Sequence, residues 1–139
     1  MNYQSSIINH HSINCRRKLI DLSTPKIMGI LNLTPDSFSD GGKKKKKKSA
    51  LLQAEKMIKD GADFIDFGAQ STRPNAEFLS AEEEIRRLGN VISLIKKEFP
   101  ETLISLDTFF FFFLRFGFDE GIDVVNDISG GDFDEYLLI

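Results

Sequence analysis

Apolar residues in this chain fall into four short runs separated by longer stretches at helical spacing. Ile27, Met28, Ile30, Leu31 and Leu33 form the first run, nearly continuous rather than alternating, as expected of a strand covered on both faces. The others are DFIDF at 63–67, TLISL at 102–106 ending at Asp107, and IDVV at 122–125 ending at Asn126. The pattern predicts strands near 26–33, 63–67, 102–107 and 122–126. Between them, Leu51, Leu52, Ala54, Met57 and Ile58 recur at helical spacing, with Gly61 as a stop. Ser80 and Glu83 form a capping-box pattern, after which Ala81, Ile85, Leu88, Ile92, Ile95 and Phe99 recur every three or four residues until Pro100. Residues 108–121 are long enough for one more helical crossover, and FDEYLLI at 133–139 reads as the start of a further helix.

Strand and helix in regular alternation predict an α/β fold with a parallel sheet, either open and doubly wound or closed as a barrel. Asn32, the loop from Gly68 to Pro74, Asp107 and Asn126 each follow the C-terminal end of a different predicted strand. Both architectures gather their ligands at such ends. Residues 1–25 read as an untethered N-terminal extension, and 26–139 as one domain. At 139 residues the chain is well short of the roughly 250 of a complete eight-stranded barrel. Four strands cannot close such a barrel, so two edges would be left open.

A hydrophobic fraction of 41 % and a charged fraction of 28 % suit a globular protein. No apolar stretch nears the roughly 20 residues that span a bilayer, and the N-terminus lacks the layout of a signal peptide, so a cytoplasmic location is expected. Cys15 is the single cysteine, which excludes an internal disulfide; beside His10 and His11 it makes a poor metal site. Removing the six positive charges of Lys43–Lys48 from the formal net of −3 leaves −9, so the basicity is local. Such a run reads as a solvated, mobile segment, and with no interleaved aromatic platform nucleic acid is not an expected partner. Phe109–Phe113 face every side of a helix or both faces of a strand, so periodicity does not place them; exposed, they would form an apolar patch.

Two loops and two further strand ends carry candidate chemistry. GILNLTPDSFSDGG, residues 29–42, follows its strand with Asn32, Thr34, Asp36, Ser37, Ser39 and Asp40, more side-chain oxygens than a turn needs, although all are turn formers too. Asn32 offers a neutral carbonyl oxygen suited to a hard cation such as Mg²⁺, or to capping the following turn. In the second loop Ser71 and Thr72 supply hydroxyls and Arg73 a planar fork that fits phosphate or carboxylate, with surface pairing to Glu77 as the simpler alternative. Asp107 and Asn126 place a carboxylate and an amide at neighbouring strand ends. Asp127 reads as a strand-end or cap residue. Asp66 reads as a buried partner of a pocket donor or a satisfied core acid; both stay outside the candidate site.

GILNLTPDSFSDGG at 29–42, GAQSTRP at 68–74, SLDTF at 105–109 and VNDISGG at 125–131 together resemble the dihydropteroate synthase family, the pterin-binding enzymes of folate biosynthesis. Four ordered motifs carry far more weight than any one of them. The resemblance covers about residues 27 to 131. It implies the barrel: the first half of a TIM-type (β/α)8 fold, four parallel strands with their helices, the chain being truncated relative to the family. It also implies condensation of 6-hydroxymethyl-7,8-dihydropterin diphosphate with 4-aminobenzoate, giving dihydropteroate and diphosphate. On that resemblance Asn32 holds Mg²⁺ with the diphosphate, Thr72 binds the diphosphate and Arg73 serves the leaving group. Asp107 and Asn126 bind the pterin ring, Asp40 stabilises the developing cation, and Phe38, Ser71 and Pro74 line the aminobenzoate side. The substrates would be the partners, with no nucleic acid or membrane, and a homodimer only for a full-length enzyme. Two other readings stay open: a non-catalytic fragment lacking the second half of the pocket, and a pterin- or folate-binding methyltransferase on the same fold, against which STRP and TPDSFSDGG argue.

Overall fold

The computed structural model describes residues 11–33, 43–68, 88, 91–108 and 111–132, with side chains at all of these except 43–46 and 111–113. A hairpin, β1 (Ser12–Cys15) and β2 (Lys18–Asp21), precedes a four-stranded sheet. The sheet comprises β3 (Met28–Asn32), β4 (Phe64–Gly68), β5 (Leu103–Asp107) and β6 (Val124–Asn126). These strands are parallel and ordered β3-β4-β5-β6, each lying at one of the four apolar runs. Helices α1 (Lys43–Lys59), α2 (Val91–Glu98) and α3 (Phe111–Glu120) alternate with them.

Strand parity sorts the sheet into two faces. Leu31, Ile65, Phe67, Ile104 and Leu106 are fully buried and pack with Ala50 and Ala54 of α1, Ile92 and Ile95 of α2, Leu114 of α3, and Ile122. The described helices therefore cover one face. A doubly wound sheet would put helices on both faces and reverse its strand order at a switch point. Neither is seen among the described residues: sequential order with one helical layer is the arrangement of a barrel wall.

The N-terminal segment departs from the expectation of an untethered extension. Cys15 is buried with Phe64 and Leu103, and the partly buried Ile20 and Val124 pack beside them, so the hairpin covers the N-terminal end of the helix-free face. Its two-residue turn puts Arg16 and Arg17 in the left-handed region, at φ 48° and 67°. That matches a type I′ hairpin, whose twist suits the flanking strands but which favours Asn or Gly. Side-chain bonds offset the strain: Asn14 Oδ1 accepts from Arg17 N at 2.9 Å, and Arg16 Nη2 donates to Phe118 O at 2.6 Å, near the C-terminus of α3.

Residues 43–48 also differ from expectation, since the lysine run forms the first turns of α1 rather than a mobile segment. Lysine is a good helix former, and like-charge repulsion at i,i+4 costs only a few tenths of a kcal/mol per pair, about 0.2–0.5. Packing of the later turns supplies the anchor. The capping box at 80–83, the first two phenylalanines of the aromatic run and residues 133–139 lie outside the described residues.

Carboxylates pin the N-terminal ends of the strands. Asp63 Oδ2 accepts from Ile27 N at 2.9 Å, tying β4 to β3. Asp123 Oδ2 accepts from Ile104 N at 2.8 Å and pairs with Lys96 Nζ at 2.6 Å, while Lys96 also donates to Thr102 O at 2.7 Å. This cluster joins α2, β5 and β6 at the N-terminal end of the sheet. At Gly117 the third helix packs tightly on the sheet: a Cβ there would meet Leu106 Cδ2 at 2.7 Å and two Ile122 methyl carbons at 3.2 and 3.3 Å. Gly117→Val is therefore expected to destabilise the fold by about 1–3 kcal/mol through overpacking, read as a lower urea midpoint at unchanged slope.

Candidate active site at the strand C-termini

Parallel register brings four strand ends into one transverse row. Asn32 pairs with Gly68, Gly68 with Asp107, and Asp107 with Asn126. All four point to the helix-free face, because each is the terminal residue of its strand at the same parity. The ladder continues past the row through Leu33 N to Gly68 O at 3.0 Å and Thr108 N to Asn126 O at 3.1 Å, which holds the ends level.

Gly68 makes a cradle of this row. Gly68 is itself buried, and a Cβ there would lie in ordinary contact, 3.6 Å from Asn32 Oδ1 and 3.6 Å from Asp107 Oδ2, so two oxygen functions flank the glycine. Asn32 and Asn126 are exposed and Asp107 is half-buried, so the row is open to a ligand and partly desolvated. Three of the sequence-derived site residues, Asn32, Asp107 and Asn126, are thus brought together. Phe38, Asp40, Ser71, Thr72, Arg73 and Pro74 lie outside the described residues.

One row below, on the same face, are Ile30, Asp66, Ser105 and Val124. Asp66 is 3 % exposed, and its Oδ2 accepts from Asn126 Nδ2 at 3.2 Å. Of the two readings left open for Asp66, partner of a pocket donor is the one observed. Its Oδ1 and Ser105 Oγ are buried with no hydrogen-bond partner among the described residues. Sequence reasoning left Asp66 and Gly68 out of the site; alternation along FIDFG, which puts Phe64, Asp66 and Gly68 on one face, was the signal available.

Electrostatics follow from this stacking. Burial pushes the Asp107 carboxyl up from 3.8 to about 6, with the charges of Asp66 and Asp127 adding to the effect. Asp127 goes the other way: burial alone would raise it, but hydrogen bonds from Ser129 and Gly131 hold its carboxyl below the usual range. Ser129 N and Oγ donate to its Oδ1 at 2.8 and 2.7 Å, and Gly131 N donates to its Oδ2 at 2.6 Å. Asp127 thus organises the turn after β6, where Gly130 and Gly131 take φ of 65° and 92°.

Among the described residues no group of three His, Cys, Asp or Glu side chains is placed to hold a metal. Asn32 is a single hard oxygen donor at the edge of the cradle, which fits a cation carried mainly by ligand phosphates and water rather than a protein cage. No described helix is long and apolar enough to cross a membrane.

A wall of parallel strands with one helical layer and a polar row at the strand C-termini belongs to the class of barrel enzymes that build their sites at that end. More narrowly, residues 28–139 match the family model described as "Pterin binding enzyme", and the chain belongs to that family. It is 46 % identical over 111 residues to dihydropteroate synthase of Haemophilus influenzae, covering 80 % of this chain and 40 % of that protein. Dihydropteroate synthase of Xanthomonas albilineans, solved with 4-aminobenzoic acid, superposes with a TM-score of 0.81 at 33 % identity, covering 91 % of this chain and 46 % of that one. The Anaplasma phagocytophilum enzyme, solved with 6-hydroxymethylpterin-monophosphate, gives 0.72 at 39 % identity, over 81 % of this chain and 43 % of its own. The chain thus spans less than half the length of these relatives. Their fold is the TIM barrel, and the four strands described here match part of it.

The Asp107 shift makes a pH prediction with a definite sign. A carboxyl with a raised folded-state pKa binds its proton more tightly when folded, so its contribution to stability is present below about pH 4 and is lost as pH rises through about 6. Asp107→Asn removes that dependence. The difference in melting temperature, variant minus wild type, is expected to grow between pH 4 and 7 and to level off above; a constant difference would refute it.

Proposed function

We propose that this chain supplies the pterin-binding part of a dihydropteroate synthase, which joins 6-hydroxymethyl-7,8-dihydropterin diphosphate to 4-aminobenzoate. The observation that carries the proposal is the in-register row Asn32, Gly68, Asp107 and Asn126 on the helix-free face. A pterin ring presents an aminopyrimidinone edge of alternating donors and acceptors. A carboxyl and an amide on adjacent strands can read such an edge, and a site built to hydrogen-bond a ligand rejects analogues that leave its groups unpaired. Gly68, between Asn32 and Asp107, would let a flat ring lie against the backbone on the other side of the carboxyl.

In the reaction, the aminobenzoate nitrogen attacks the pterin methylene carbon. The carbon–oxygen bond breaks, its electron pair leaves with diphosphate, and the amine gives up a proton. Positive charge builds on the methylene and negative charge on the leaving group. Thr72 and Arg73 would bind the leaving diphosphate, a guanidinium fork matching two of its oxygens at once. Asp40 would face the developing cation, and Phe38, Ser71 and Pro74 would line the aminobenzoate side. Asn32 would be the residue that holds a Mg²⁺ ion, which when bound would supply neutralisation of leaving-group charge. Burial pushes the Asp107 carboxyl up to about 6, so its protonation would respond to a ring bound beside it.

Two measurements on a full-length protein carrying this segment test the proposal. Asp107→Ala is expected to remove 6-hydroxymethylpterin binding from calorimetric detection, and unchanged affinity would sink the pocket. Chelating Mg²⁺ is expected to weaken the pterin diphosphate at least tenfold while leaving 6-hydroxymethylpterin within about twofold, since only the former carries the oxygens that share the ion.

A further inference from the structure

Asp66 has no role in the chemistry described so far, yet it is the most deeply buried acid on the helix-free face. Stability does not call for it. A buried charge costs several kcal/mol in desolvation unless paired, and an apolar residue of similar size usually does as well or better, about 1–4 kcal/mol in measured replacements. Ile30 and Val124 show that this row accepts apolar side chains.

What distinguishes a carboxylate here is its effect on Asn126. The bond from Asn126 Nδ2 to Asp66 Oδ2 runs from β6 to β4, spanning the strand that carries Asp107. A carboxylate has only acceptors, so the amide must turn its nitrogen inward. The carbonyl oxygen and second N–H of Asn126 are then left for the exposed side. An asparagine without such a partner can flip, since the two orientations have nearly the same shape but exchanged donors and acceptors.

We propose that Asp66 is a positioning residue that fixes the amide of Asn126, so that this strand end presents a carbonyl acceptor and selects a heterocycle that donates a hydrogen bond there. The inference rests on the pterin reading for its ligand but not for its geometry. It makes ligand choice depend on a residue that does not need to touch the ligand. Outer partners of this kind typically affect affinity by about 10–100-fold.

The test is a double-mutant cycle in a full-length protein carrying this segment, with 6-hydroxymethylpterin as probe. Asp66→Asn keeps the shape but adds a donor that can bond the Asn126 carbonyl and turn the amide over. Affinity is expected to fall about 10–100-fold. In an Asn126→Ala background the same change should alter affinity by less than about twofold, because a residue acting through another has nothing left to act on. Equal losses in both backgrounds would overturn the proposal, as would unchanged affinity in the first. Amide exchange of the Asn126 side chain, followed by NMR without ligand, provides a second readout. One carboxamide proton should be protected in the wild type and lose that protection in Asp66→Asn; free exchange of both protons in the wild type overturns the inference even if the variant does not fold. Failure of the wild type to bind the probe would instead overturn the functional reading, leaving the exchange measurement to decide the positioning role.

Discussion

Parallel register is the constraint on which the rest of this structure depends. Each strand contributes one useful residue at its C-terminal end, and those residues come from positions 32, 68, 107 and 126, far apart in sequence. They form a row because Asn32, Gly68, Asp107 and Asn126 occupy matched positions in the ladder. A slip of one residue in any strand would send its terminal side chain to the helix-covered face. It would also move Phe67 or Leu106 out of the core, so the packing that stabilises the sheet specifies the site as well.

The two ends of the sheet divide the labour. At the N-terminal end, polar groups are satisfied: Asp63 and Asp123 accept backbone hydrogens, Lys96 neutralises Asp123, and the hairpin covers Phe64 and Leu103. On the helix-free face some are not: Asp66 and Ser105, at mid-strand, each keep a buried oxygen without a partner among the described residues, and in the row above them the Asp107 carboxyl is pushed up to about 6. Buried groups without partners are expensive, and their place directly beneath the strand-end row supports the proposal that this row binds a ligand.

Much of this was legible in the chain before any coordinates. The four strands were, because runs such as TLISL and DFIDF are too short and too apolar for surface helices. The strand-end polar residues were legible for the same reason, since Asn32, Asp107 and Asn126 each break an apolar run. The hairpin was not. Residues 12–21 lack a hydrophobic alternation long enough to register, and its turn uses two arginines where Asn-Gly is the usual signal. Its fixation comes from Cys15 meeting Phe64 and Leu103, contacts that no local pattern contains. The lysine run misled for a related reason: charge density argues for a mobile segment, but the apolar stripe from Ala50 to Ile58 anchors the helix to which it belongs. Asp66 reads in the sequence as either a buried partner of a pocket donor or a core acid, because an apolar run by itself does not say which of its residues serve which face.

Asp66 also shows how recognition and stability compete on the helix-free face. Its charge raises the cost of ionising Asp107, one row away on the neighbouring strand. Protonation relieves part of that repulsion in the free protein, and a donor-rich ligand edge would relieve it further by giving each carboxyl a partner. Binding energy on the proposed reading then comes from two sources: new contacts, and the removal of an electrostatic conflict stored by the fold. A ligand of the same shape without donors would find the same cradle above Gly68 but would leave Asp107 and the carbonyl of Asn126 desolvated and unpaired, each at a cost of about 1–3 kcal/mol. On the proposed reading selectivity resides in that mismatch, and the Asp66 to Asn126 bond sets its polarity.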